Sequence, residues 1–260
     1  MIKIAYFSGT GNTEYVAKFL AKKFEEQGEN IEISKIELKN EKFSLENANM
    51  FLILSPVHSF DIPWPVYKWI KNIESKEVKT SIILVSAGGY IPENSAAIRK
   101  IRTILKKKGC NIVYEDMVKM PLNCFSGMKN GETKSILNEV PKKIEEVVVN
   151  IKNNVKKEIK PLTKGIILSK ISIFEKIFSR LFAKGYVVSE SCDLCNWCVE
   201  NCPTGNITIK NGKIHFDLKC TLCLKCIYGC PKKAISQKIF PFMVIKNGYD
   251  LYRFLGKNAD

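Results

Sequence analysis

Eight of the ten cysteines in this 260-residue chain fall between Cys192 and Cys230. One pattern occurs twice there: three cysteines separated by two residues each, then three residues, then a fourth cysteine followed by proline. The first copy comprises Cys192, Cys195, Cys198, Cys202 and Pro203, and the second comprises Cys220, Cys223, Cys226, Cys230 and Pro231. Cysteines this close together indicate metal or redox chemistry in a reducing compartment more than a disulfide framework.

The spacing favours iron–sulfur clusters. Two intervening residues let the chain turn tightly, so that successive thiolates reach different irons of one cubane, while the fourth cysteine points to the other cluster. We expect two [4Fe–4S] clusters, one bound by Cys192, Cys195, Cys198 and Cys230 and the other by Cys202, Cys220, Cys223 and Cys226. Structural zinc is the alternative, but zinc ribbons use two cysteine pairs separated by a longer loop. The spacing resembles that of bacterial dicluster ferredoxins at every ligand position.

A second motif, Ser8-Gly9-Thr10-Gly11-Asn12-Thr13, lies between the first predicted strand and the first predicted helix. Its small residues let the backbone wrap an anion, and its hydroxyls, its N–H groups and the helix N-terminus favour negative charge. A Walker A loop needs Gly-Lys-Ser/Thr, and the dinucleotide fingerprint needs a small residue where Glu14 stands. The motif is similar to the phosphate loop of flavodoxins, and this resemblance implies that residues 8–13 bind the phosphate of FMN.

The same resemblance implies that the loops after the third and fourth strands enclose the flavin ring at the carboxyl edge of the sheet. The implied ring contacts are Pro56, Val57, His58, Ser59, Phe60, Ser86, Ala87, Gly88, Gly89 and Tyr90. The nearby Trp64 is a further aromatic side chain able to stack on a flavin. The alternatives are that Trp64 belongs to the core of the following helix and that His58 is an ordinary loop histidine.

Strand and helix patterns alternate over the first 160 or so residues. Strands are predicted at residues 2–8, 31–36, 50–55, 81–86 and 112–118, and helices at 12–27, 63–73, 93–108 and 134–157. Short buried strands separated by helices favour a doubly wound parallel sheet covered on both faces. We predict an α/β, flavodoxin-like sheet of five strands, with the order 2-1-3-4-5 that the resemblance implies, and a small α+β dicluster ferredoxin-like domain.

Four segments follow from these motifs. They are a flavodoxin-like FMN-binding domain at 1–160, an amphipathic linker helix at 161–185, a ferredoxin domain at 186–236 and a tail at 237–260. The linker carries an apolar stripe at helical spacing, formed by Ile167, Ile171, Phe174, Phe178 and Leu181. We expect this stripe to pack between the two domains, with a membrane surface as the alternative. The aromatic-rich tail is expected to pack against a domain.

The formal net charge of +15 comes almost entirely from lysine, because the chain has only four arginines. Nucleic-acid readers rely on arginine forks, and no recognition motif is present, so we expect no nucleic-acid partner. A solvated lysine-rich surface or attraction to acidic redox partner proteins accounts for the charge. No apolar run reaches the roughly 20 residues that span a bilayer, and residues 1–7 resemble a strand more than a signal peptide. We therefore expect a cytoplasmic protein.

From the phosphate loop to the Cys-Pro repeat, the chain resembles the flavodoxin–ferredoxin fusion proteins of the EFR1 family. The resemblance implies an electron carrier of anaerobes with FMN and two [4Fe–4S] clusters, and we expect electrons to pass between the clusters and FMN. Its partners would be ferredoxin- or flavodoxin-dependent oxidoreductases, and the cofactors would carry the chemistry, since no catalytic acid–base pair is evident. One alternative is an FMN-dependent reductase of a quinone, nitro-compound or NAD(P)H-linked acceptor. Another is a redox sensor associated with DNA or a membrane.

Overall fold

The computed structural model describes residues 1–39 and 43–256 of the chain. Its first half is built on five strands: β1 (Ile2–Tyr6), β2 (Ile31–Lys35), β3 (Met50–Pro56), β4 (Val78–Ser86) and β5 (Cys110–Lys119). They pair in the order β2-β1-β3-β4-β5, and all four pairings are parallel. The predicted flavodoxin-like fold and strand order are confirmed.

Four helices cover the sheet: α1 (Asn12–Glu25), α2 (Trp64–Asn72), α3 (Ile98–Lys107) and α4 (Asn130–Lys152). Successive strand residues point to opposite faces, so Ile4 packs in the core with α1 and α4, whereas Ala5 packs in the core with α2 and α3. The parallel arrangement brings the carboxyl ends of the strands to one edge. Residues 8–13 follow β1 at that edge, and residues 56–60 and 86–90 begin with the last residues of β3 and β4.

The turn region before α3 differs from the prediction. A helix was expected from residue 93, but α3 begins at Ile98. Residues 92–97 instead form turns in which the Ser95 hydroxyl donates to the Pro92 carbonyl oxygen at 2.7 Å, and the Asn94 amide donates to the Ser86 hydroxyl at 3.1 Å. Side-chain hydrogen bonds of this kind compete with the helix for the backbone.

The cysteine-rich half contains short elements of repeated design. β6 (Tyr186–Val188) pairs with β9 (Ile235–Gln237), and β7 (Ile207–Lys210) pairs with β8 (Lys213–Phe216), both antiparallel. Two four-residue helices, α6 (Trp197–Glu200) and α7 (Lys225–Tyr228), occupy matching positions in the two copies of the cysteine motif. This arrangement agrees with the predicted small α+β domain.

The linker forms a helix, α5 (Thr163–Phe182), but the expected orientation of its apolar stripe is wrong. Four stripe residues are at least half exposed, namely Ile167, Ile171, Phe174 and Leu181. Of the predicted stripe, only Phe178 is partly buried, and it packs against Phe182 and Phe240. The buried residues of the helix include Gly165, Ser169, Ser172, Ser179 and Phe182.

The described part of the tail packs on both halves of the chain, with Phe240, Met243 and Val244 against the core of the cysteine-rich half. Tyr249 and Leu251 are buried in the core beside α1 and α4, and a last short helix, α8, spans Leu251–Phe254. Residues 257–260 of the predicted tail lie outside the described residues. Within the described part of the chain, none of the helices combines the length and apolar character required to cross a bilayer.

Candidate iron–sulfur centre and phosphate loop

Two cavities in the second half are each lined by four cysteines. The first, which we name the proximal cavity, is bounded by Cys202, Cys220, Cys223 and Cys226 and measures about 320 Å³, partly open to solvent. The second, the distal cavity, is bounded by Cys192, Cys195, Cys198 and Cys230 and measures about 280 Å³. Each cavity thus takes three cysteines from one copy of the motif and the Cys-Pro cysteine from the other. The structure brings together the same two sets that the spacing suggested.

The Cys-Pro segments turn their backbone back toward the sulfur. Three residues after each such cysteine, Gly205 (φ 61°) and Lys233 (φ 48°) adopt the left-handed conformation. The N–H of the next residue then donates to the cysteine: Asn206 to Cys202 Sγ at 3.2 Å, and Ala234 to Cys230 Sγ at 3.4 Å. N–H groups aimed at thiolate ligands tune the potential of an iron–sulfur cluster.

Strained backbone also recurs between the first cysteines of each copy. Leu194 and Leu222 occupy equivalent positions with φ of 57° and 54°, and Asn196 and Leu224 do so with φ of 66° and 57°. Positive φ is uncommon for residues other than glycine. It occurs mainly where contacts with the surrounding structure hold the backbone in this conformation. The motif spacing gives no signal for this strain, which bends each loop around its cavity.

The thiols suit a multinuclear cluster. Burial, followed by the neighbouring cysteines, raises the pKa of Cys223 to about 12 and that of Cys226 well above its ordinary value. Thiolates in such a pocket require a cationic centre to compensate their charge. Within residues 1–39 and 43–256, no three His, Cys, Asp or Glu side chains converge closely enough to hold a single metal ion. The four thiols of each set line one of the two cavities.

The phosphate loop lies at the sheet edge, as predicted. The N–H of Gly11 donates to the Ser8 hydroxyl at 3.2 Å, and Asn12 and Thr13 are the first residues of α1. N–H groups in the first turn of a helix lack intrahelical acceptors, so this end of α1 favours an anion. The donor set of residues 8–13 therefore fits a phosphate group.

The space next to this loop is filled by other parts of the chain. A Cβ on Gly9 would lie 2.2 Å from the carbonyl oxygen of Cys223. The loop that carries Cys220 and Cys223, which we name the cluster loop, therefore touches the phosphate loop directly. Tyr249 donates to Asn12 Oδ1 at 2.5 Å, and Asn123 donates to the hydroxyl of Thr10. The donors of residues 8–13 fit the phosphate of FMN, and in this arrangement the loop at Cys223 and the segment at Tyr249 lie directly against them.

The first predicted ring loop binds the cluster loop instead. Trp64 Nε1 donates to the Cys220 carbonyl oxygen at 3.3 Å, and Val57 packs with Cys223 in the core beside α2. Burial lowers the pKa of His58 to about 4, although a hydrogen bond with the backbone of Thr221 opposes this. Pro56 and Phe60 are half-buried beside them, whereas Ser59 is exposed. His58 and Trp64 therefore contact the second half of the chain.

The second predicted ring loop makes mostly local contacts. The Ser86 hydroxyl donates to the Gly89 carbonyl oxygen at 3.2 Å, and Tyr90 is 54% exposed. Ala87 is half-buried, and Gly88 is exposed. The structure thus places both ring loops at the predicted edge of the sheet, but it turns only the first of them toward the cluster loop.

The two halves are joined on the side of the proximal cavity. The N–H of Leu38 donates to the carbonyl oxygen of Pro203 at 2.9 Å, and the Tyr228 hydroxyl donates to the carbonyl oxygen of Asn123 at 3.1 Å. Burial and the nearby Lys35 lower the pKa of Lys225 to about 8. Cys195, on the distal cavity, is exposed. One cysteine-lined cavity therefore faces the first domain, and the other reaches the surface.

Models of known protein families match part of each half of the chain. The family model of a flavodoxin domain matches residues 3–113, and that of a 4Fe–4S binding domain matches residues 186–208. No curated protein matches the chain. The two family matches support FMN and an iron–sulfur cluster as cofactors and electron transport as the class of function.

Solved structures similar to this chain include two flavodoxins and one oxidoreductase. A Fusobacterium nucleatum flavodoxin bound to flavin mononucleotide is 18% identical, with 60% of this chain and 98% of that chain covered and a TM-score of 0.43. Rubredoxin oxygen:oxidoreductase from Desulfovibrio gigas is 18% identical, with 59% and 36% covered and a TM-score of 0.40. A flavodoxin from the domain Archaea is 13% identical, with 56% and 99% covered and a TM-score of 0.38.

Proposed function

We propose that this chain is an electron-transfer protein of the flavodoxin–ferredoxin fusion type described by the EFR1 family, holding two [4Fe–4S] clusters. Cys202, Cys220, Cys223 and Cys226 bind the proximal cluster, and Cys192, Cys195, Cys198 and Cys230 bind the distal one. The observation that carries the proposal is the pair of cavities with crossed cysteine sets, one at the surface and one against the phosphate loop. Each cluster would supply one-electron transfer, the distal one beside the exposed Cys195 and the proximal one beside the phosphate loop.

Hydrogen bonds to the cysteine sulfurs and the exposure of the distal site support this proposal. The N–H groups of Asn206 and Ala234 donate to the two exchanged cysteines and stabilise negative charge on their sulfurs. Tyr186 is buried with its hydroxyl 3.7 Å from Cys220 Sγ, so it can supply a further hydrogen bond at the proximal cluster. The distal cluster has the exposed Cys195 at its rim, which gives a redox partner close approach.

We include FMN in the proposal because the donor groups of residues 8–13 fit its phosphate. We do not expect FMN to bind while the two domains are docked. Bound FMN would bring an exchange of one or two electrons to the edge of the sheet. Its entry requires that the loop at Cys223 and the segment at Tyr249 move away from Gly9 and Asn12. While the domains are docked, the two clusters would therefore be the groups that supply electron transfer.

The partners in this proposal are redox proteins with acidic surfaces, such as ferredoxin- or flavodoxin-dependent oxidoreductases in the cytoplasm of anaerobes. The chain carries 41 lysines and arginines against 26 acidic residues, and opposite charge speeds the encounter between small redox proteins. We expect the rate of electron exchange with an acidic ferredoxin to fall steeply with salt, because exposed charges are screened over about 8 Å at physiological ionic strength.

The test is anaerobic cluster reconstitution of the full chain, followed by iron analysis and EPR of the reduced protein. The wild type should hold about eight irons and show two magnetically coupled clusters. The Cys110→Ala variant is the control, because Cys110 is buried in the first domain. A wild type that holds four irons or fewer, or that binds zinc in preference, would overturn the proposal.

The crossed ligand sets are tested by comparing single variants. Cys230→Ala should give the same residual EPR spectrum as Cys198→Ala, because both damage the distal cluster and leave the proximal cluster in place. Cys202→Ala should resemble Cys226→Ala instead. If Cys230→Ala matched Cys226→Ala, each copy of the motif would bind its own cluster and the crossed assignment would be wrong.

A further inference from the structure

The outer face of α5 is an exposed apolar surface. It consists of Ile167 (57% exposed), Ile171 (52%), Phe174 (67%), Ile177 (56%) and Leu181 (50%), which we name the outer stripe. Soluble surfaces rarely carry so many large apolar side chains in one continuous row, and such rows mark interaction sites. The stripe runs along a helix of 20 residues, which is about 30 Å long at 1.5 Å per residue.

The buried inner face fixes this orientation. A Cβ on Gly165 would lie 2.5 Å from the Ser95 hydroxyl and 2.6 Å from the Pro92 carbonyl oxygen, so the helix approaches the first domain as closely as backbone allows. Further along, the Ser172 hydroxyl donates to Asp61 Oδ2 at 2.9 Å, and Asp61 also pairs with Lys100. Small and polar contacts therefore hold the helix with its apolar side chains outward.

The apolar surface continues beyond the end of the helix. Phe240 contacts Phe178 with ring centroids 4.8 Å apart, and Phe242 contacts Phe240 at 6.2 Å. Phe242 is 61% exposed, and the neighbouring Ile239 is 57% exposed. The exposed aromatic and aliphatic surface thus includes residues from two separate segments of the chain.

The charges beside the outer stripe are basic. Lys170, Arg180 and Lys184 are exposed along or just after the helix, whereas Glu175 is the one acidic residue among positions 163–182. An apolar stripe flanked by lysine and arginine is the arrangement that binds an anionic lipid interface: the apolar side chains enter the acyl boundary, and the cationic heads remain at the phosphate level.

We propose that α5 lies flat on an anionic lipid surface, with the outer stripe and Phe242 inserted among the acyl chains. The charge complementarity favours lipid over a second copy of this chain, because a symmetric dimer through the stripe would bring Lys170, Arg180 and Lys184 of both copies close together. The helix is bound at the interface and does not cross the bilayer. This inference rests on the surface of α5 and not on the cluster assignment.

The experiment is co-sedimentation of the full holoprotein with vesicles of phosphatidylglycerol and phosphatidylcholine. We expect binding at about 0.1 M salt, at least tenfold weaker binding at about 0.5 M salt, and weak binding to vesicles of phosphatidylcholine alone. Phe174→Glu should reduce the partition coefficient at least tenfold, and Phe174→Ser should reduce it in the same direction without adding charge.

The matched control is Val149→Glu, a similar change at an apolar residue that is 50% exposed on α4. It should bind vesicles like the wild type. Circular dichroism and the iron content of each variant show whether the fold and the clusters are retained. Failure of the wild type to bind anionic vesicles would overturn the proposal, and so would equal binding by Phe174→Glu.

Light scattering in the absence of lipid tests whether a second copy of this chain covers the outer stripe instead. We expect a monomer for both the wild type and Phe174→Glu. A stable dimer that Phe174→Glu dissociates, together with no vesicle binding, would assign the outer stripe to self-association and overturn the lipid proposal. If the wild type bound anionic vesicles but held no clusters, the lipid proposal would stand and the proposed electron-transfer function would be refuted.

Discussion

Trp64 Nε1 donates a hydrogen bond to the carbonyl oxygen of Cys220 at 3.3 Å, although the two residues are 156 positions apart. Trp64 begins the helix after β3, and Cys220 is the first cysteine of the second motif copy. The carboxyl edge of an open parallel sheet is where such folds bind ligands. In this chain, that edge contacts the loop at Cys220, and we expect a ligand of the sheet to compete with this intramolecular contact.

Gly9→Ala should weaken the docking of the two domains. The added Cβ would lie 2.2 Å from the backbone oxygen of Cys223, and a backbone atom cannot rotate away as a side chain can. We expect a larger radius of gyration by small-angle X-ray scattering and faster proteolysis between the domains. Gly131→Ala is the matched control, because nothing lies within 4 Å of a Cβ at that position. Equal behaviour of the two variants would show that the contact at Gly9 does not hold the domains together.

The same variant should bind FMN more tightly than the wild type. Its phosphate loop keeps the Ser8 hydroxyl and the N-terminus of α1, and the loop at Cys223 no longer covers them. The measurement is quenching of FMN fluorescence on titration with protein, and we expect at least a fivefold lower Kd for Gly9→Ala. An unchanged Kd beside a confirmed loss of docking would mean that FMN and the ferredoxin domain do not compete.

The sheet was predictable because its signals are local. Apolar runs such as that of β3 and the glycine-rich turn at Gly9 are read within a few residues, and they position five strands and the phosphate loop. The orientation of α5 was not predictable in this way. Periodicity shows that Ile171 and Phe174 share one face, but only the tertiary contacts of Gly165 and Ser172 show that the opposite face is buried.

In the candidate site, too, one part was predictable from the sequence and another was not. The cysteine spacing alone separated the two cavity-lining sets, because ligand exchange follows from the distances within the motif. His58 and Trp64 were assigned to a flavin ring from the resemblance to flavodoxins, and the structure places both against the cluster loop. Their aromatic character suits either role, and the choice depends on a domain contact across more than 150 residues. The flavin-ring assignment therefore stays a prediction.

Arg102→Lys should destabilise the first domain by about 2–3 kcal/mol. The guanidinium of Arg102 binds both carboxylate oxygens of the buried Glu115 at 2.5 Å and donates to the carbonyl oxygen of Ile159 at 2.6 Å. Lysine cannot reproduce this fork, so Glu115 would keep a buried charge with fewer hydrogen bonds. The measurement is urea unfolding followed by circular dichroism. Arg99→Lys, at an exposed position of α3, should change the midpoint little, and an equal loss in both variants would contradict the prediction.

Asp116 should contribute to the pH dependence of stability. Burial opposes ionisation of its carboxylate, but hydrogen bonds from Lys157 and Lys143 outweigh this and lower its pKa, with Nζ to Oδ2 distances of 2.8 Å and 2.9 Å. A group whose pKa is lower in the folded state stabilises the fold above its unfolded value of about 3.9, and this stabilisation is lost as the pH falls through the folded value.

We therefore expect Asp116→Asn to cost about 1–3 kcal/mol at pH 7 and progressively less below about pH 4, where the wild type loses the same interaction. Urea midpoints measured at intervals from pH 7 to the acid limit of folding would show the two curves converging. Glu139→Gln, at an exposed position on α4, removes a carboxylate that has no such contacts in the described structure, and its curve should run close to that of the wild type throughout. A constant gap between Asp116→Asn and the wild type across this range would mean that the carboxylate acts through packing and not through its charge.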